Sequence, residues 1–353
     1  MQKGITLREL AERIESNKAA KRYIVTDTRK ATIEVLRDAA AQPQLVMDIK
    51  GQGVYPLRPL AHDQIGARVG IPSKYYDRMQ SEAPDLLAQN VNHWLHEKPE
   101  VRMIRTMDGW ERAFLSQQYQ RIENEHMAEA ALPVIAELPG VIIPSAEITD
   151  RRMYIHFIIP TIEGEVKKGD IVQAGGIISN SEVGLGACSV SGLIWRLVCL
   201  NGMKTSDTFR RNHVGRRVEE SDSDINWADD TRRADDQAVL LKIRDMVRAV
   251  VDETRFRANL AKLSDLATAR VSGNPMEAVE LVAARVGATE GEKNSILRSL
   301  IEGGDLSAWG LVNAVTAQAH SAASYDRAVE LEAAGGALVD LPASEWRRVL
   351  EAA

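Results

Sequence analysis

The sequence predicts an α+β protein with a central, mostly antiparallel sheet that carries an inserted helix and is followed by an all-helical C-terminal region. The first observation is a series of alternating apolar and β-branched runs in the middle of the chain, which is typical of strands. The second is an Asp108-Gly109 step between two of these runs, a strong signal for a hairpin turn. The third is helical periodicity in the last third of the chain. Strands, one helix, more strands and then helices indicate an α+β fold.

The N-terminal region, residues 1–98, is predicted to be α+β, with a short amphipathic helix, strands and a helical hairpin. The part between residues 60 and 79 contains two short helices separated by a Gly-Ile-Pro step, which is the outline of a helix-turn-helix. A plain helical hairpin is favoured, because the second helix carries an acid, Asp77, among its bases.

The central region, residues 99–217, is predicted to be a β-rich core that ends in a basic exit. It begins with the Asp-Gly hairpin, continues with a helix near residues 125–138 and returns to strands, of which MYIHFIIP is apolar enough to be central. Residues 218–236 contain eight acids and two arginines with almost no apolar anchors, so we expect an acidic linker or loop. Residues 237–353 form the predicted helical C-terminal region.

The composition is that of an ordinary globular protein of 353 residues with a net charge of −6. No apolar run is long enough to span a membrane, and the N-terminus does not resemble a secretory signal, so we expect a cytoplasmic protein. The two cysteines, Cys188 and Cys199, lack a metal-ligand spacing. The phosphate loop, the dinucleotide fingerprint and the nucleophile elbow are also missing, so we expect no cofactor, no metal, no catalytic residues and no nucleotide hydrolysis.

The segment from Arg196 to Arg217 is strongly basic in this acidic protein, because it holds six bases and one acid, a net charge of +5. Such a segment can attract a polyanion such as nucleic acid. The hairpin region adds further bases and an aromatic ring on which a nucleotide base could stack. The predicted nucleic-acid-binding residues are Lys204, Arg210, Arg211, Arg216 and Arg217, with Arg102, Arg105, Arg112, Tyr119 and Arg121 from the hairpin region.

Arg196 is predicted to have a structural role. It interrupts the apolar run 187–200, and a guanidinium in a buried element needs a carboxylate or a phosphate as its partner. Glu182 lies just before the turn that would lead this segment back on itself. We therefore predict an ion pair between Glu182 and Arg196.

Several segments of the chain resemble one protein family. They are LRPLAHDQIGARVGIPSKYYDRM, NVNHWL, RTMDGWERAFLSQQYQRIEN, NSEVGLGACSVSGLIWRLVCLNGM and WGLVNAVTAQAHSAASYDRAVELEAAGG. Together they resemble the phage- and plasmid-borne "domain of unknown function 932" family over roughly residues 50–340. More distantly, the chain resembles single-strand annealing proteins of the Rad52/Redβ type. The resemblance implies a mobile-element protein in the cytoplasm of a bacterial host, which accompanies recombination and replication proteins.

These observations favour a single-stranded-DNA-binding, annealing-type recombination protein of a phage or plasmid, acting as a homo-oligomeric ring or filament. The resemblance implies a phage exonuclease or a single-strand-binding protein as a further partner. The alternative is a structural or protein-interaction component of the mobile element, whose basic segment docks an acidic surface such as residues 218–236 of a neighbouring copy. A metal-dependent nuclease that uses Glu182 is a third hypothesis.

Overall fold

The computed structural model describes residues 1–37, 42–119, 121–211 and 229–352. Within these residues the chain is α+β, with antiparallel sheets before the acidic segment and helices after it, which confirms the predicted fold class. The predicted domain boundaries stay predictions. Most of the predicted acidic segment lies outside the described residues.

The first sheet joins the N-terminal strand to the predicted hairpin, in the antiparallel order β1-β5-β6. The bounds of these strands and of the first helix are α1 Leu7–Ala20, β1 Lys21–Asp27, β5 Val101–Met107 and β6 Trp110–Ser116. The turn residues Asp108 and Gly109 have φ of 51° and 77°. A type I′ turn requires positive φ at both positions, so the Asp-Gly step led to the correct hairpin.

A second small sheet and three helices complete the N-terminal part. The sheet has the order β2-β3-β4. The bounds are β2 Ala31–Leu36, β3 Gln44–Ile49, β4 Gly53–Pro56, α2 Pro59–Val69, α3 Ser73–Glu82 and α4 Pro84–Glu97. The helices bury Ile65, Tyr76 and Val91 in one core with Ile104 and Phe114 of the hairpin. One face of the hairpin is therefore covered by α2, α3 and α4.

The central sheet is antiparallel and has the strand order β11-β10-β9-β8-β7. The bounds are α5 Asn124–Ala136, β7 Ile142–Ile148, β8 Met153–Lys167, β9 Asp170–Asn180, β10 Cys188–Arg196 and β11 Asn201–Arg211. The inserted helix α5 packs on one face, where Met127 shares a core with Ile155. On the other face Tyr154 and Ile177 meet Tyr325 of the C-terminal region. In this order β11 is an outer strand.

The helical region begins earlier than predicted. The first helix of the C-terminal region starts at Asp229, so the prediction of a linker or loop was wrong for residues 229–236. Val239 and Ile243 anchor this helix in the core beside α5, and acids in its first turn are favourable to the helix dipole. The bounds are α6 Asp229–Ala249, α7 Glu253–Thr268, α8 Pro275–Arg285, α9 Glu290–Gly303, α10 Ala308–Ala317, α11 Tyr325–Val339 and α12 Ala343–Leu350. Within the described residues, no helix combines the length and the apolar character that crossing a membrane requires.

Candidate functional site

A set of six charged side chains lies where four parts of the chain meet. It contains three bases and three acids, namely Lys21, Arg105, Arg112, Glu123, Glu125 and Glu182. The lysine begins β1, the two arginines belong to the β5–β6 hairpin, two glutamates stand at the start of α5, and the third glutamate follows β9. We call this set the charge cluster. The fold brings Lys21 and Glu182 together although they are 161 positions apart.

The ammonium group of Lys21 lies at the centre of the charge cluster. Its Nζ donates to Glu123 at 2.9 Å, to Glu125 at 2.6 Å and to Glu182 at 2.9 Å. Burial alone would lower the pKa of Lys21, but the carboxylates of Glu182 and Glu123 raise that pKa above its usual value. The lysine is therefore charged at neutral pH and holds the three carboxylates together.

The two arginines balance the remaining negative charge. Arg105 Nη2 donates to both oxygens of Glu123, at 2.8 and 2.6 Å, and Arg112 Nη1 donates to Glu182 at 3.3 Å. Burial alone would raise the pKa of Glu123, but Arg105 and Lys21 lower that pKa to about 2. Three carboxylates and three cations sum to zero net charge, which reduces the free-energy cost of burying the cluster.

The segment Asn180-Ser181-Glu182, at the end of β9, is hydrogen-bonded to the start of α5. Glu182 Oε1 accepts the backbone N–H of Asn124 at 2.9 Å, one of the donors left free at a helix N-terminus. Asn180 Nδ2 donates to Asn124 Oδ1 at 2.9 Å, and the Tyr119 hydroxyl donates to the Ser181 carbonyl at 2.7 Å. These bonds attach the turn after β9 to α5, and so they fix the position of the Glu182 carboxylate.

The charge cluster is largely buried but reaches the surface. The side chains of Lys21 and Glu123 are 11% and 12% exposed, whereas Arg105 and Glu182 are enclosed. Arg105 Nε and Nη1 are buried and have no hydrogen-bond partner among the described residues. Buried polar groups are normally hydrogen-bonded. These two nitrogen atoms can therefore donate to an acceptor that the described part of the chain does not provide.

An aromatic ring borders the charge cluster. Tyr23 pairs with Arg105 across β1 and β5, and its side chain is half exposed. The guanidinium of Arg121 lies 3.8 Å from the centre of the Tyr23 ring, which is a cation–π contact. Arg121, one of the predicted nucleic-acid-binding residues, is thus partly exposed beside the cluster.

The three carboxylates of the charge cluster also have the spacing of a cation site. Ligand oxygens of Glu123, Glu125 and Glu182 all lie within 4.8 Å of one another. Carboxylate oxygens are preferred ligands of Mg²⁺ and Mn²⁺. Lys21 Nζ lies between these oxygens. The three glutamates can therefore hold an ammonium group or, with Lys21 moved aside, a divalent cation.

A different acid is buried on the opposite face of the hairpin. Glu111 is fully enclosed, and neither of its carboxyl oxygens has a hydrogen-bond partner within the described ranges. Burial raises the pKa of Glu111 well above its usual value. Burial raises the pKa of Tyr76, and the nearby Glu111 carboxyl raises that pKa further. The Tyr76 hydroxyl lies 3.0 Å from His62 Nδ1. Burial lowers the pKa of His62 to about 4, so the imidazole is uncharged at neutral pH, and the raised pKa of Glu111 favours its protonated form.

Several predicted nucleic-acid-binding residues of the hairpin region lie inside the protein. Arg105, Arg112 and Tyr119 are buried, so they do not form the exposed surface on which the arginines were predicted to contact phosphates and Tyr119 to stack on a base. The reason is electrostatic, because the two arginines neutralise the carboxylates of the charge cluster. Arg102 is also engaged, in an ion pair with Glu100 at 2.7 Å.

The predicted residues of the basic exit begin on β11. Arg210 and Arg211 lie at the end of this strand, where its backbone pairs with the start of β10. Lys204 is half-buried earlier on the same strand, in the part that α11 covers. Arg216 and Arg217 lie outside the described residues. The described backbone thus places three of the five predicted residues on an outer strand of the central sheet.

Arg196 forms a structural ion pair, but its partner is Asp170 rather than Glu182. Arg196 Nε and Nη2 donate to the two carboxylate oxygens of Asp170, at 2.6 and 2.9 Å. Trp309 Nε1 donates to the same carboxylate at 2.9 Å. The register places Arg196 opposite Val172, so Asp170 is its diagonal neighbour, whereas Glu182 has left the sheet. The predicted pair was therefore wrong, although the predicted kind of interaction is present.

The sequence model of one protein family matches residues 113–334, well over half of the chain. The family is described as "Domain of unknown function (DUF932)". The chain belongs to this family. The matched range includes Glu123, Glu125 and Glu182, whereas Lys21 precedes it. Comparisons with curated proteins and with solved structures give no match.

The sequence of this DUF932 protein gave no prediction for three members of the charge cluster. Glu123 and Glu125 carry a weak signal, because two acids at the start of a helix are favourable to the helix dipole. Lys21 carries none, since its three partners all lie more than 100 positions away in the sequence. Glu182 was recognised as important, but with the wrong partner.

Proposed function

We propose that this DUF932 protein binds single-stranded DNA along the outer strand β11 and its basic continuation. In this proposal it is an annealing-type recombination protein of a phage or plasmid, which acts as an oligomer and without nucleotide hydrolysis. The observation that supports the proposal is the position of the basic segment, which starts on an outer strand of the central sheet. An outer strand has one edge that pairs with no other strand, whereas a central strand is paired along both edges.

The charge available to phosphates comes from the residues after Arg196. Arg196 itself is paired with Asp170 and adds little to the local field. Residues 197–217 contain five bases and one acid, a net charge of +4 in a protein whose net charge is −6. Neutralising phosphates with such bases releases counterions, which gives binding that weakens as salt rises.

A single-strand-binding surface also needs groups on which bases can stack. Tyr119 was the predicted stacking residue, but its ring is buried and its hydroxyl is bonded to Ser181. Tyr23, which is half exposed under the guanidinium of Arg121, is the better candidate. A basic strand with an exposed aromatic ring nearby would suit the proposed annealing function.

Fluorescence anisotropy of a labelled oligothymidylate, measured from low to moderate salt, tests the proposal. We expect the wild-type chain to bind, with affinity that falls as salt rises. Arg210/Arg211→Ala should lower the affinity and reduce the slope of log affinity against log salt by about 1.4, because each phosphate contact to a single strand contributes about 0.7. Arg347/Arg348→Ala is a matched control, since it removes an adjacent, exposed arginine pair from α12.

Two results would contradict the proposal. Absence of binding at low salt would exclude a DNA-binding function, and concentration-dependent assembly in that case would favour the interaction protein. Equal losses from the two double variants would show that DNA responds to general charge rather than to β11.

A further inference from the structure

The charge cluster has a feature that a purely structural ion network does not need. Arg105 is 2% exposed, and within the described part of the chain only its Nη2 is bonded, to Glu123. Its Nε and Nη1 remain without a partner among the described residues, beside three converging carboxylates. A network that only stabilised the fold would use these donors, because a buried donor left unpaired costs free energy. The unpaired nitrogen atoms point to an anionic ligand next to the carboxylates.

A cluster of carboxylates repels an anionic ligand unless a cation lies between the carboxylates and the ligand. Lys21 Nζ contacts one oxygen of each of Glu123, Glu125 and Glu182, so it marks the point where a cation has three ligands. The lysine side chain is 11% exposed, so solvent reaches it, and a cation site here requires the lysine to leave this point toward solvent. A divalent cation can then take its place among oxygens that lie within 4.8 Å of one another.

The net charge identifies the class of anion. With Lys21 outside, three carboxylates, two arginines and one divalent cation have a net charge of +1. A singly charged phosphodiester restores neutrality, and it offers two oxygens that can accept from Arg105 and bind the cation. Arginine is suited to this contact because its planar donors match phosphate oxygens.

We infer that Glu123, Glu125 and Glu182 form a divalent-cation site in competition with Lys21, and that Arg105 holds a phosphodiester next to the cation. The cation half of this inference is independent of DNA binding at β11. The phosphodiester half extends the proposed function, because it gives the protein a second contact with a nucleic-acid backbone.

The cation half is tested with Mn²⁺ alone, by following the free ion with electron paramagnetic resonance during titration of the full chain. We expect one ion per chain at this site. Lys21→Met should tighten binding at least about tenfold, because it removes a positive charge that competes for the same oxygens. Lys293→Met is the matched control, since Lys293 also lies between two glutamates, Glu280 and Glu290, but on the surface. This control should bind Mn²⁺ like the wild type.

A second substitution identifies the ligands. Adding Glu125→Gln to Lys21→Met should remove the gain in Mn²⁺ affinity, because an amide is a poorer ligand than a carboxylate. Circular dichroism checks that each variant is folded, and Lys21→Gln replaces Lys21→Met if the latter does not fold. A folded Lys21 variant that binds Mn²⁺ no better than the wild type would overturn the inference, since it would show that the cluster is an ion network alone.

The phosphodiester half is tested with the dinucleotide thymidylyl-thymidine, which has one diester and is too short to follow β11. We expect it to tighten Mn²⁺ binding to the Lys21→Met chain, and the same coupling should appear as tighter dinucleotide binding in Mn²⁺. Arg105→Gln in that chain should abolish the coupling while Mn²⁺ still binds. Mn²⁺ affinity that ignores the dinucleotide would overturn the phosphodiester half, whatever the result of the oligothymidylate experiment.

Discussion

The two faces of the β5–β6 hairpin bury charged groups in opposite ways. On one face Arg105 and Arg112 pair with Glu123 and Glu182, within a cluster of zero net charge. On the other face Glu111 is enclosed among α2 and α3 with both carboxyl oxygens unpaired in the described structure. An unpaired buried carboxyl avoids the cost of its charge by keeping its proton. The same hairpin thus uses pairing on one side and protonation on the other.

The two arrangements respond to pH with opposite sign. The pKa of Glu123 is lowered to about 2, so its contribution to stability is present above the unfolded pKa of about 4.3 and is lost as pH falls toward 2. The pKa of Glu111 is raised, so its contribution is fully present below about pH 4.3 and is lost as pH rises through the folded pKa. Removing one member of each arrangement should therefore have different effects.

The largest effect is expected from Glu182→Ala. This change leaves Lys21 and Arg112 without one of their carboxylates and also frees the N–H of Asn124. Orphaning the partners of a buried ion pair costs about 3–5 kcal/mol, and we expect the upper end of that range because several donors lose their acceptor. Urea unfolding, followed by circular dichroism, measures the free energy of unfolding.

Glu82→Ala is the control for this prediction. Glu82 pairs with Arg78 on the surface of α3, and both side chains are more than half exposed. Exposed pairs contribute little to stability, so the free energy of unfolding should hardly change. If Glu182→Ala were as mild as Glu82→Ala, the charge cluster would not contribute to stability through pairing.

Arg196→Ala is expected to have the next largest effect. It removes both bonds to Asp170, which keeps only the Trp309 N–H as a described partner and remains enclosed. We expect a loss of about 3 kcal/mol, the lower end of the range for broken buried pairs, because water can reach the carboxylate where the arginine stood. Urea unfolding measures this loss. An unchanged free energy of unfolding together with weaker DNA binding would instead assign Arg196 to the DNA surface.

Arg196 also shows how far the sequence could predict the structure. A single guanidinium in an apolar strand correctly predicts a fork-like pair with a carboxylate. The choice of Glu182 failed because it assumed that the chain doubles back immediately, whereas the turn after β9 is bonded to α5. The register of β9 and β10, which places Asp170 diagonally to Arg196, depends on the whole sheet and cannot be read from local spacing.

Local signals predicted the parts of the fold that local chemistry decides. The Asp-Gly hairpin and the helical C-terminal region follow from turn geometry and periodicity. The charge cluster was not predictable in the same way, because Lys21 meets Glu182 only after two sheets and α5 have assembled. The hairpin arginines were predicted to lie at the surface, because only their distant carboxylate partners allow them to be buried. A charged residue has the same local signal whether or not a distant carboxylate neutralises it.

The smallest effect, and the one that tests the unpaired face of the hairpin, is expected from Glu111→Gln. The native protein binds a proton at Glu111 that the unfolded chain releases above about pH 4.3, so this group lowers the stability of the wild type as pH rises, with a limit of about 1.4 kcal/mol per pH unit. Glutamine has a similar shape and cannot ionise. The free energy of unfolding of the variant should therefore increase relative to that of the wild type by about 1–2 kcal/mol between pH 5 and pH 6.5.

Urea unfolding of both proteins at several pH values in this interval measures the difference for Glu111→Gln. Contributions from all other titrating groups cancel in the difference, including those from the charge cluster. His62 adds a slope of the opposite sign, because its pKa is about 4 in the native protein and about 6.5 in the unfolded chain, but both proteins share this slope and it cancels in the difference. Parallel stability curves for the two proteins would show that Glu111 is ionised in the native state and that its face of the hairpin also relies on a counter-charge. We expect the free energy of unfolding of Glu111→Gln to exceed that of the wild type by an amount that grows with pH, because only the wild type has to keep a proton on a carboxyl that water cannot reach.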